Sequence, residues 1–418
     1  MGEGSVALIL GARPATRSHD TQYPFRQDSD FWYLTGFNHP QAVAVLRTDG
    51  GAPYTLFVEP RNREAETWTG YRPGTEGAKR DYGADEAFEI GDFEKEFPGI
   101  LSKAKQIYHV LGRERDLDGK LAEILGDMRL RSRQGLEPAS TIVDPRSLLH
   151  EMRLRKETAE LEIMRRAAAI TAEAHREAVA LIRDGRFEYE IAAMLEYTFR
   201  RLGASGPAYT TIVGSGKNAT TLHYTANDKQ LVSGELVLID AACELDGYAS
   251  DVTRTYPVDG SMEGPARAIY EVVLTAQEAS LQACRPGATL EEIHDAAVRS
   301  LVEGLVDLGL LRGDVDELIA EDSYRPYYMH RTSHWLGLDA HDVGTYTAGG
   351  KPRLLEPGMV FTVEPGLYIA DDDESAEFRG IGVRIEDDVV ITADGFENLT
   401  AAIPRRPADL EVWMRDSN

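Results

Sequence analysis

The amino-acid sequence predicts an α/β fold in two domains, with a boundary near residue 150. Two observations predict it. Strand-like apolar runs interleave with helical patterns in the first 130 residues, and a weak repeat of helices followed by apolar strands fills the remainder. The length agrees, because 418 residues exceed what one hydrophobic core normally organises. We therefore expect one domain over residues 1–150 and a second over residues 151–418.

The first domain is predicted from apolar runs that alternate with turns and helices. The β-prone runs cover residues 6–10, 42–46 and 54–58, and residues 121–130 have the period of a helix. Turn-forming pairs indicate a connector over residues 131–149. A long amphipathic helix is predicted to begin near Lys156 and to open the second domain.

The second domain contains a short internal repeat. Arg183-Asp-Gly185 is followed by Glu190-Ile191, and Arg285-Pro-Gly287 is followed by Glu292-Ile293 at the same spacing. Amphipathic helices flank each copy and apolar strands follow it. We interpret the pattern as a duplicated helix–helix–hairpin unit, and we expect a functional site where the two copies meet.

Composition excludes several classes of function. A formal net charge of −25 repels nucleic-acid phosphates and anionic lipid, so neither nucleic acid nor membrane is expected as a partner. No apolar run approaches the roughly 18 residues of a membrane span, and the run at residues 5–12 lacks the preceding basic segment of a signal peptide. Two cysteines, Cys243 and Cys284, make no disulfide framework. We expect a cytoplasmic protein.

A hairpin in the second domain is predicted to bring two aspartates together. Asp246-Gly247 is a strong two-residue turn, and counting outward from it makes Asp240 and Asp251 diagonal neighbours on one face, about 7 Å apart. Such a pair suits a shared cation. An exposed hairpin, or an ion pair with Arg254, accounts for the acids without one, and this segment alone favours neither interpretation.

Three of the ten histidines fall within one short segment, at positions 330, 334 and 341. Histidine is a common metal ligand and a common acid–base group. The spacing is not the HExxH of a helical zinc protease, because Arg331 stands where its glutamate would be. The alternative is that these imidazoles are hydrogen-bonded core residues.

Two glutamates, Glu364 and Glu386, lie inside β-prone apolar runs, where an acid needs a partner. Arg384 shares a strand face with Glu386, so a surface ion pair is one alternative. With the aspartates these make four carboxylates beside one to three imidazoles and no thiolate. Oxygen-rich ligation of this size favours two divalent ions, such as Mn²⁺, Mg²⁺, Co²⁺ or Zn²⁺, over a cysteine-type zinc site.

These segments, in this order, resemble the pita-bread metallopeptidases, the family of methionine aminopeptidase, prolidase and aminopeptidase P, and most of all its aminopeptidase P branch. The resemblance covers nearly the whole chain and rests on residues 16–20, 27–33, 35–37, 218–227 and 330–342. It implies an α/β (α+β) architecture, with an N-terminal creatinase-like α/β domain followed by a pseudo-symmetric pita-bread catalytic domain.

By that resemblance, the metal ligands would be Asp240, Asp251, His334, Glu364 and Glu386. Asp251 and Glu386 would bridge two divalent ions, with Mn²⁺ expected and Co²⁺ or Zn²⁺ as alternatives. His223, His341 and His330 would hold substrate and stabilise the tetrahedral intermediate, and Arg384 would orient the ligand carboxylates.

The implied activity is metal-dependent hydrolysis of the N-terminal Xaa-Pro bond by a metal-bridged hydroxide, with Glu364 moving the proton. Peptides with proline at the second position are the implied partners. The first domain would serve oligomerisation and the pocket rim in a homo-oligomer, a dimer or tetramer, with Trp68 contributed by a neighbouring copy.

Three alternatives accompany this interpretation. Prolidase uses the same ligands on dipeptides only, but it tends to carry glycine where Ser333 precedes His334 here. A metal-free binding protein on the same fold is disfavoured because all five expected ligands are present. A creatine-type amidinohydrolase would need a different pocket.

Overall fold

The computed structural model describes residues 1–135 and 137–417, and contacts divide the chain into two compact units, Met1–Glu151 and Met152–Asn418. Each unit has its own hydrophobic cores. No helix within the described ranges has both the length and the apolar character needed to cross a membrane.

The first unit is built on a mixed six-stranded sheet. The strands of this unit, six in the sheet and two in a separate pair, are β1 (Ser5–Leu10), β2 (Thr16–Ser18), β3 (Thr21–Gln22), β4 (Val43–Arg47), β5 (Tyr54–Val58), β6 (Glu86–Glu89), β7 (Gln106–Tyr108) and β8 (Thr141–Val143). Its helices are α1 (Ser29–Thr35), α2 (Arg63–Thr69), α3 (Gly74–Tyr82), α4 (Phe93–Leu101), α5 (Arg115–Leu130) and α6 (Arg146–Leu154), whose last turn crosses the division. The sheet order is β6-β5-β4-β1-β7-β8, and β2 pairs with β3 apart from it.

Alternation along β1 explains why helices cover both faces of this sheet. Val6, Leu8 and Leu10 enter one core with residues of α4 and α5, while Ala7 and Ile9 enter a second core with residues of α1 and α3. Successive side chains of a strand point to opposite faces, so a wholly apolar strand must be covered on both.

The predicted connector over residues 131–149 is wrong in part, because this stretch also adds regular structure to the first unit. β8 pairs in parallel with β7, and α6 begins at Arg146. A three-residue strand is too short to show alternation in the sequence, and only its pairing partner identifies it.

The second unit carries the repeated pattern. Its helices are α7 (Thr158–Val179), α8 (Glu188–Arg201), α9 (Gly264–Ala283), α10 (Leu290–Asp307), α11 (Val315–Ala320) and α12 (Pro407–Ser417). Its strands are β9 (Gly206–Pro207), β10 (Ile212–Ser215), β11 (Leu236–Asp240), β12 (Cys243–Leu245), β13 (Tyr248–Ala249), β14 (Thr253–Pro257), β15 (Thr347–Ala348), β16 (Lys351–Pro352), β17 (Val360–Val363), β18 (Gly366–Tyr368), β19 (Gly382–Arg384), β20 (Asp387–Ile391) and β21 (Phe396–Asn398).

The short sequence repeat encodes the start of the second helix in each copy. Gly185 and Gly287 both have positive φ, at 83° and 80°. Glu190 and Glu292 then stand at the third position of α8 and α10, and each side chain accepts a hydrogen bond from a backbone N–H just before its helix. The paired helices lead to the antiparallel sheets β10-β11-β14 and β17-β20-β21, as the duplicated unit predicts.

One buried histidine of this unit makes its stability depend on pH. The His175 ring lies between the Ala241 carbonyl oxygen at 2.9 Å and the Tyr256 hydroxyl at 3.1 Å, and burial lowers the pKa of His175 to about 4. The unfolded value is about 6.5. Between these two pH values the unfolded chain binds a proton at His175 more readily than the folded protein does. The free energy of unfolding is therefore unaffected by this residue above pH 6.5 and decreases as pH falls toward 4.

Acidifying from pH 7 to pH 5 is therefore expected to lower the free energy of unfolding of the wild-type protein by about 2 kcal/mol more than that of His175→Gln. Urea unfolding of both proteins at several pH values measures the difference. Equal pH dependence in the two proteins would show that His175 does not titrate in this way.

Candidate metal centre

The aspartate hairpin has the register that its turn predicts. Asp246 and Gly247 have φ values of 49° and 86°, as a two-residue type I′ turn requires. Asp240 ends β11 and pairs with Thr253, the first residue of β14. Asp251 lies in the gap between β13 and β14. Because Asp240 is 8% exposed and Asp251 is 5% exposed, the alternative of an exposed hairpin is wrong.

Two buried arginines have partners other than those the sequence suggested. Arg254 Nη2 lies 2.6 Å from Asp387 Oδ1, and Arg384 Nη2 lies 2.6 Å from Asp240 Oδ2. The alternatives that paired Arg254 with the hairpin aspartates and Arg384 with Glu386 on the surface are therefore both wrong. Arg384 comes from the second copy of the repeat and Asp240 from the first, so this pair joins the two copies.

Glu386 lies between β19, which pairs with β18, and β20, which belongs to the sheet β17-β20-β21. It is 2% exposed. Its Oε2 accepts a hydrogen bond from Thr253 Oγ1 at 2.6 Å, and the same hydroxyl accepts one from Arg384 Nε at 3.0 Å. Sequence reasoning missed Thr253, although the hairpin register already places it opposite Asp240.

His334 reaches the carboxylates from a segment without regular helix or strand. Its backbone pairs with Thr362, and its Nδ1 lies 3.0 Å from the Trp335 carbonyl oxygen, so Nδ1 carries the proton. Burial lowers the pKa of His334 to about 4, which keeps the ring neutral near pH 7. The Nε2 lone pair therefore faces Asp251 Oδ2 and Glu364 Oε1, each 3.5 Å away.

The carboxylates are too close and too buried to ionise independently. Burial, and then the neighbouring Asp240, raise the pKa of Asp251 well above its usual value. Burial and Asp251 do the same to the pKa of Glu386, and burial and Glu386 to that of Glu364. Arg384 pairs directly with Asp240 alone of these four carboxylates, at 2.6 Å, so the group requires further positive charge.

The donor set fits divalent metal ions. Asp251, His334 and Glu386 each offer a ligand atom, and these atoms lie within 4.8 Å of one another. Asp240 Oδ1 is buried and has no hydrogen-bond partner among the described residues. Oxygen ligands with one imidazole suit hard or borderline cations. Both thiols, Cys243 and Cys284, are buried in hydrophobic cores.

The structure brings all nine predicted site residues of the second unit to one cavity of about 740 Å³. They are Asp240, Asp251, His334, Glu364, Glu386, His223, His330, His341 and Arg384.

The three other histidines differ in how they are held. His223 and His341 are exposed, and the His341 ring lies 4.4 Å from that of His334. His330 has both nitrogens occupied, by the Tyr368 hydroxyl and by the Arg331 carbonyl oxygen, each at 2.8 Å.

Two tyrosines of the cavity region were missed in the sequence. Tyr209 accepts a hydrogen bond from Val252 N at 3.3 Å, and burial, followed by the charge of Asp240, raises its pKa well above the usual value. No pattern around Tyr209 indicates this role. Tyr368 accepts a hydrogen bond from Arg384 at 3.0 Å, and its place in a β-prone run after Glu364 was the available signal.

Trp68 lies in the first unit, on α2, and its side chain is 84% exposed. It is not among the residues that line the cavity of the second unit.

The fold and the site define a two-domain metallopeptidase with duplicated halves around a carboxylate–imidazole centre. The chain belongs to metallopeptidase family M24: the model of this family matches residues 162–393, and the model of the aminopeptidase P N-terminal domain matches residues 1–108. The predicted pairing of an N-terminal α/β domain with a pita-bread domain is confirmed.

Relatives cover almost the entire chain. The Xaa-Pro aminopeptidase of Escherichia coli is 48% identical over 417 residues, covering 99% of this chain and 94% of that protein. The Xaa-Pro aminopeptidase of Haemophilus influenzae is 44% identical, with the same two coverages. The structure of aminopeptidase PepP from Pseudomonas aeruginosa has a TM-score of 0.97 and 47% identity, covering 100% of this chain and 95% of that one.

Proposed function

We propose that this protein is an Xaa-Pro aminopeptidase, a metal-dependent exopeptidase that removes the first residue of peptides with proline at the second position. The observation that carries the proposal is the convergence of three buried carboxylates, the partly buried Glu364 and one neutral imidazole in a single cavity. The names of the E. coli and H. influenzae relatives support it. Prolidase is not favoured, because the relatives that match at this identity carry the other name.

We propose Asp240, Asp251, His334, Glu364 and Glu386 as the ligands of two divalent ions. The close approach of Asp251, His334 and Glu386 supports the assignment of Asp251 and Glu386 as shared ligands. When bound, such ions supply Lewis acidity that lowers the pKa of water and polarises a carbonyl group. We propose Mn²⁺ as the native ion, with Co²⁺ and Zn²⁺ as the alternatives to be tested.

Glu364 is the proposed general base and acid. Its Oε1 faces His334, while Oε2 faces His330 at 3.7 Å on the other side. We assign the proton transfer to Oε2. This oxygen would accept a proton from the attacking water and deliver it to the proline nitrogen as the peptide bond breaks. The nitrogen must receive this proton to leave as an amine, because an amide anion is a poor leaving group.

The remaining cavity residues bind and orient the peptide. His223 and His341 are exposed at the cavity, so their ring nitrogens can donate to the developing oxyanion. His330 is held by Tyr368 and Arg331, and it offers ring surface to the proline. Arg384 fixes the orientation of Asp240, whose carboxylate would also meet the free α-amine of the substrate.

The roles of the two units are also proposed. We assign residues 1–150 to a domain for oligomerisation and the pocket rim and residues 151–418 to the catalytic domain, in a cytoplasmic homo-oligomer. The division of contacts at Glu151 supports the boundary, and the exposure of Trp68 supports its contact with a neighbouring copy. Light scattering of the purified protein tests the oligomer, and cell fractionation tests the compartment.

Hydrolysis of an Xaa-Pro-Xaa tripeptide tests the function. We expect release of the first residue, loss of the activity after chelation, and recovery on addition of Mn²⁺, with Co²⁺ and Zn²⁺ compared at equal concentration. An Xaa-Ala-Xaa tripeptide serves as the control substrate. Cleavage of the Xaa-Pro dipeptide alone would identify a prolidase, and activity indifferent to chelation would remove the metal from the proposal.

A further inference from the structure

Glu188, the first residue of α8, is a fully buried carboxylate outside the metal centre. Its Oε1 accepts hydrogen bonds from Ser215 N at 2.6 Å, Ser215 Oγ at 2.8 Å and Asn218 Nδ2 at 3.2 Å. Its Oε2 accepts from Tyr224 Oη at 2.8 Å and from Lys229 N at 2.9 Å. It forms no ion pair with any residue in the described ranges, and five hydrogen bonds together with its place in the first turn of α8 stabilise the buried carboxylate.

The donors come from both sides of the chain segment that carries His223. Ser215 ends β10, Asn218 lies in the short 3₁₀ turn Gly216–Thr220, and Tyr224 follows His223 directly. Residues 221–229 contain no regular helix or strand, and most of them are exposed. Leu222 and Tyr224 are only partly buried against the core, so polar anchors must add to the packing that holds this segment.

A second anchor holds the far end of the same segment. Asn227 is buried, and its amide accepts from Val213 N and donates to the Thr211 carbonyl oxygen, both at 2.9 Å. Its φ is 48°, in the left-handed region that asparagine tolerates better than most residues. His223 thus lies between Asn218 and Tyr224, both hydrogen-bonded to Glu188, and Asn227 holds the same segment four residues further on.

We propose that Glu188 is a positioning residue for His223. His223 lines the cavity and acts on substrate, whereas Glu188 does not line the cavity and acts only through His223. The carboxylate accepts five hydrogen bonds here. In a glutamine, an NH2 group would replace Oε2, and it would face Lys229 N, which is also a donor. Burying a carboxylate without a counter-charge is costly. Glutamate is suited to this position because the surrounding donors need an acceptor on both of its oxygens. The inference rests on the proposed function for the role of His223.

A double-mutant cycle with His223 tests the proposal on an Xaa-Pro-Xaa tripeptide. Glu188→Gln is expected to lower kcat/KM by about 10²-fold, the order of loss for a misplaced group. In the His223→Ala background the same change should cost less than about twofold, because the two residues act as one unit. An equal loss in both backgrounds would overturn the proposal, since it would mark Glu188 as merely structural.

Tyr224→Phe is the milder variant, and it keeps the test available if Glu188→Gln does not fold. It removes one donor from the segment and leaves the other four on Glu188, so a loss of about three- to tenfold in kcat/KM is expected, again absent from the His223→Ala background. The matched control is Glu190→Gln, two residues along α8, which alters a helix cap that does not touch the segment. Its kcat/KM should stay within about twofold of wild type.

Hydrogen–deuterium exchange gives a readout that does not depend on activity. Glu188→Gln and Tyr224→Phe should raise exchange in residues 221–229, with bound-metal stoichiometry equal to wild type, and Glu190→Gln should not. Unchanged exchange in both anchor variants would overturn the proposal. If wild-type protein fails to cleave the tripeptide, the proposed function falls, while the exchange data still judge the anchor by itself.

Discussion

Replacing Asp251 by asparagine is expected to lower kcat/KM on an Xaa-Pro-Xaa tripeptide by at least about a thousandfold. Asp251 is 5% exposed and lies at the centre of the cluster, with His334 Nε2 3.5 Å away and Glu386 beside it. The asparagine side chain removes one negative charge and one anionic ligand atom shared by the site. Metal ions supply several kcal/mol of charge stabilisation, and each 1.36 kcal/mol is tenfold in rate.

The same variant should bind less metal than wild type after dialysis, as measured by elemental analysis. The matched control is Asp371→Asn, which makes the same chemical change at an exposed carboxylate paired with Lys217. We expect that control to retain wild-type activity and metal content. Full metal occupancy together with wild-type kcat/KM in Asp251→Asn would remove Asp251 from the ligand set.

Replacing Asp387 by alanine is expected to lower the free energy of unfolding by about 3–5 kcal/mol. Asp387 and Arg254 are both 0% exposed, and the shortest distance between their charged groups is 2.6 Å. Asp387 also accepts from Gln277 at 2.6 Å and from Thr400 at 2.8 Å. Alanine would leave the guanidinium buried without its counter-charge, and this desolvation cost is a large fraction of an ordinary domain's stability.

Urea unfolding measures this effect, and two further variants sharpen it. Asp371→Ala breaks an exposed ion pair with Lys217 and should cost less than about 1 kcal/mol. A double variant, Arg254→Met with Asp387→Leu, should recover part of the lost stability because it also removes the fully buried guanidinium, while Arg405, the other partner of Asp387, is partly exposed to water. A cost below about 1 kcal/mol for Asp387→Ala would show that water or another acid compensates Arg254.

The sequence predicted the parts of the site that depend on short-range geometry. The turn at Asp246-Gly247 sets the pairing on both sides of it, so the register that places Asp240 beside Asp251 follows by counting. Glu364 and Glu386 were identified because acids inside apolar strands need a partner. The resemblance to the pita-bread family then supplied His334 and the grouping of all five, which no periodicity would have revealed.

Other features depended on contacts between distant segments. Arg384 shares a strand face with Glu386 in the sequence, yet it pairs with Asp240 because the two copies of the repeat meet there. The buried hydrogen bonds of Glu188 draw on residues up to 41 positions away. Neither Tyr209 nor β8 had a local signal, since one is a single side chain and the other a strand of three residues.

Local chemistry thus decided the turn at Asp246-Gly247, the longer helices and strands, and which acids could not remain alone in an apolar strand. The folded arrangement decided which charges meet: Arg254 with Asp387, Arg384 with Asp240, and His334 with the carboxylates. The physical reason is range. Turn geometry and side-chain alternation act over a few residues, whereas the partner of a buried charge is whichever group long-range packing brings within about 4 Å.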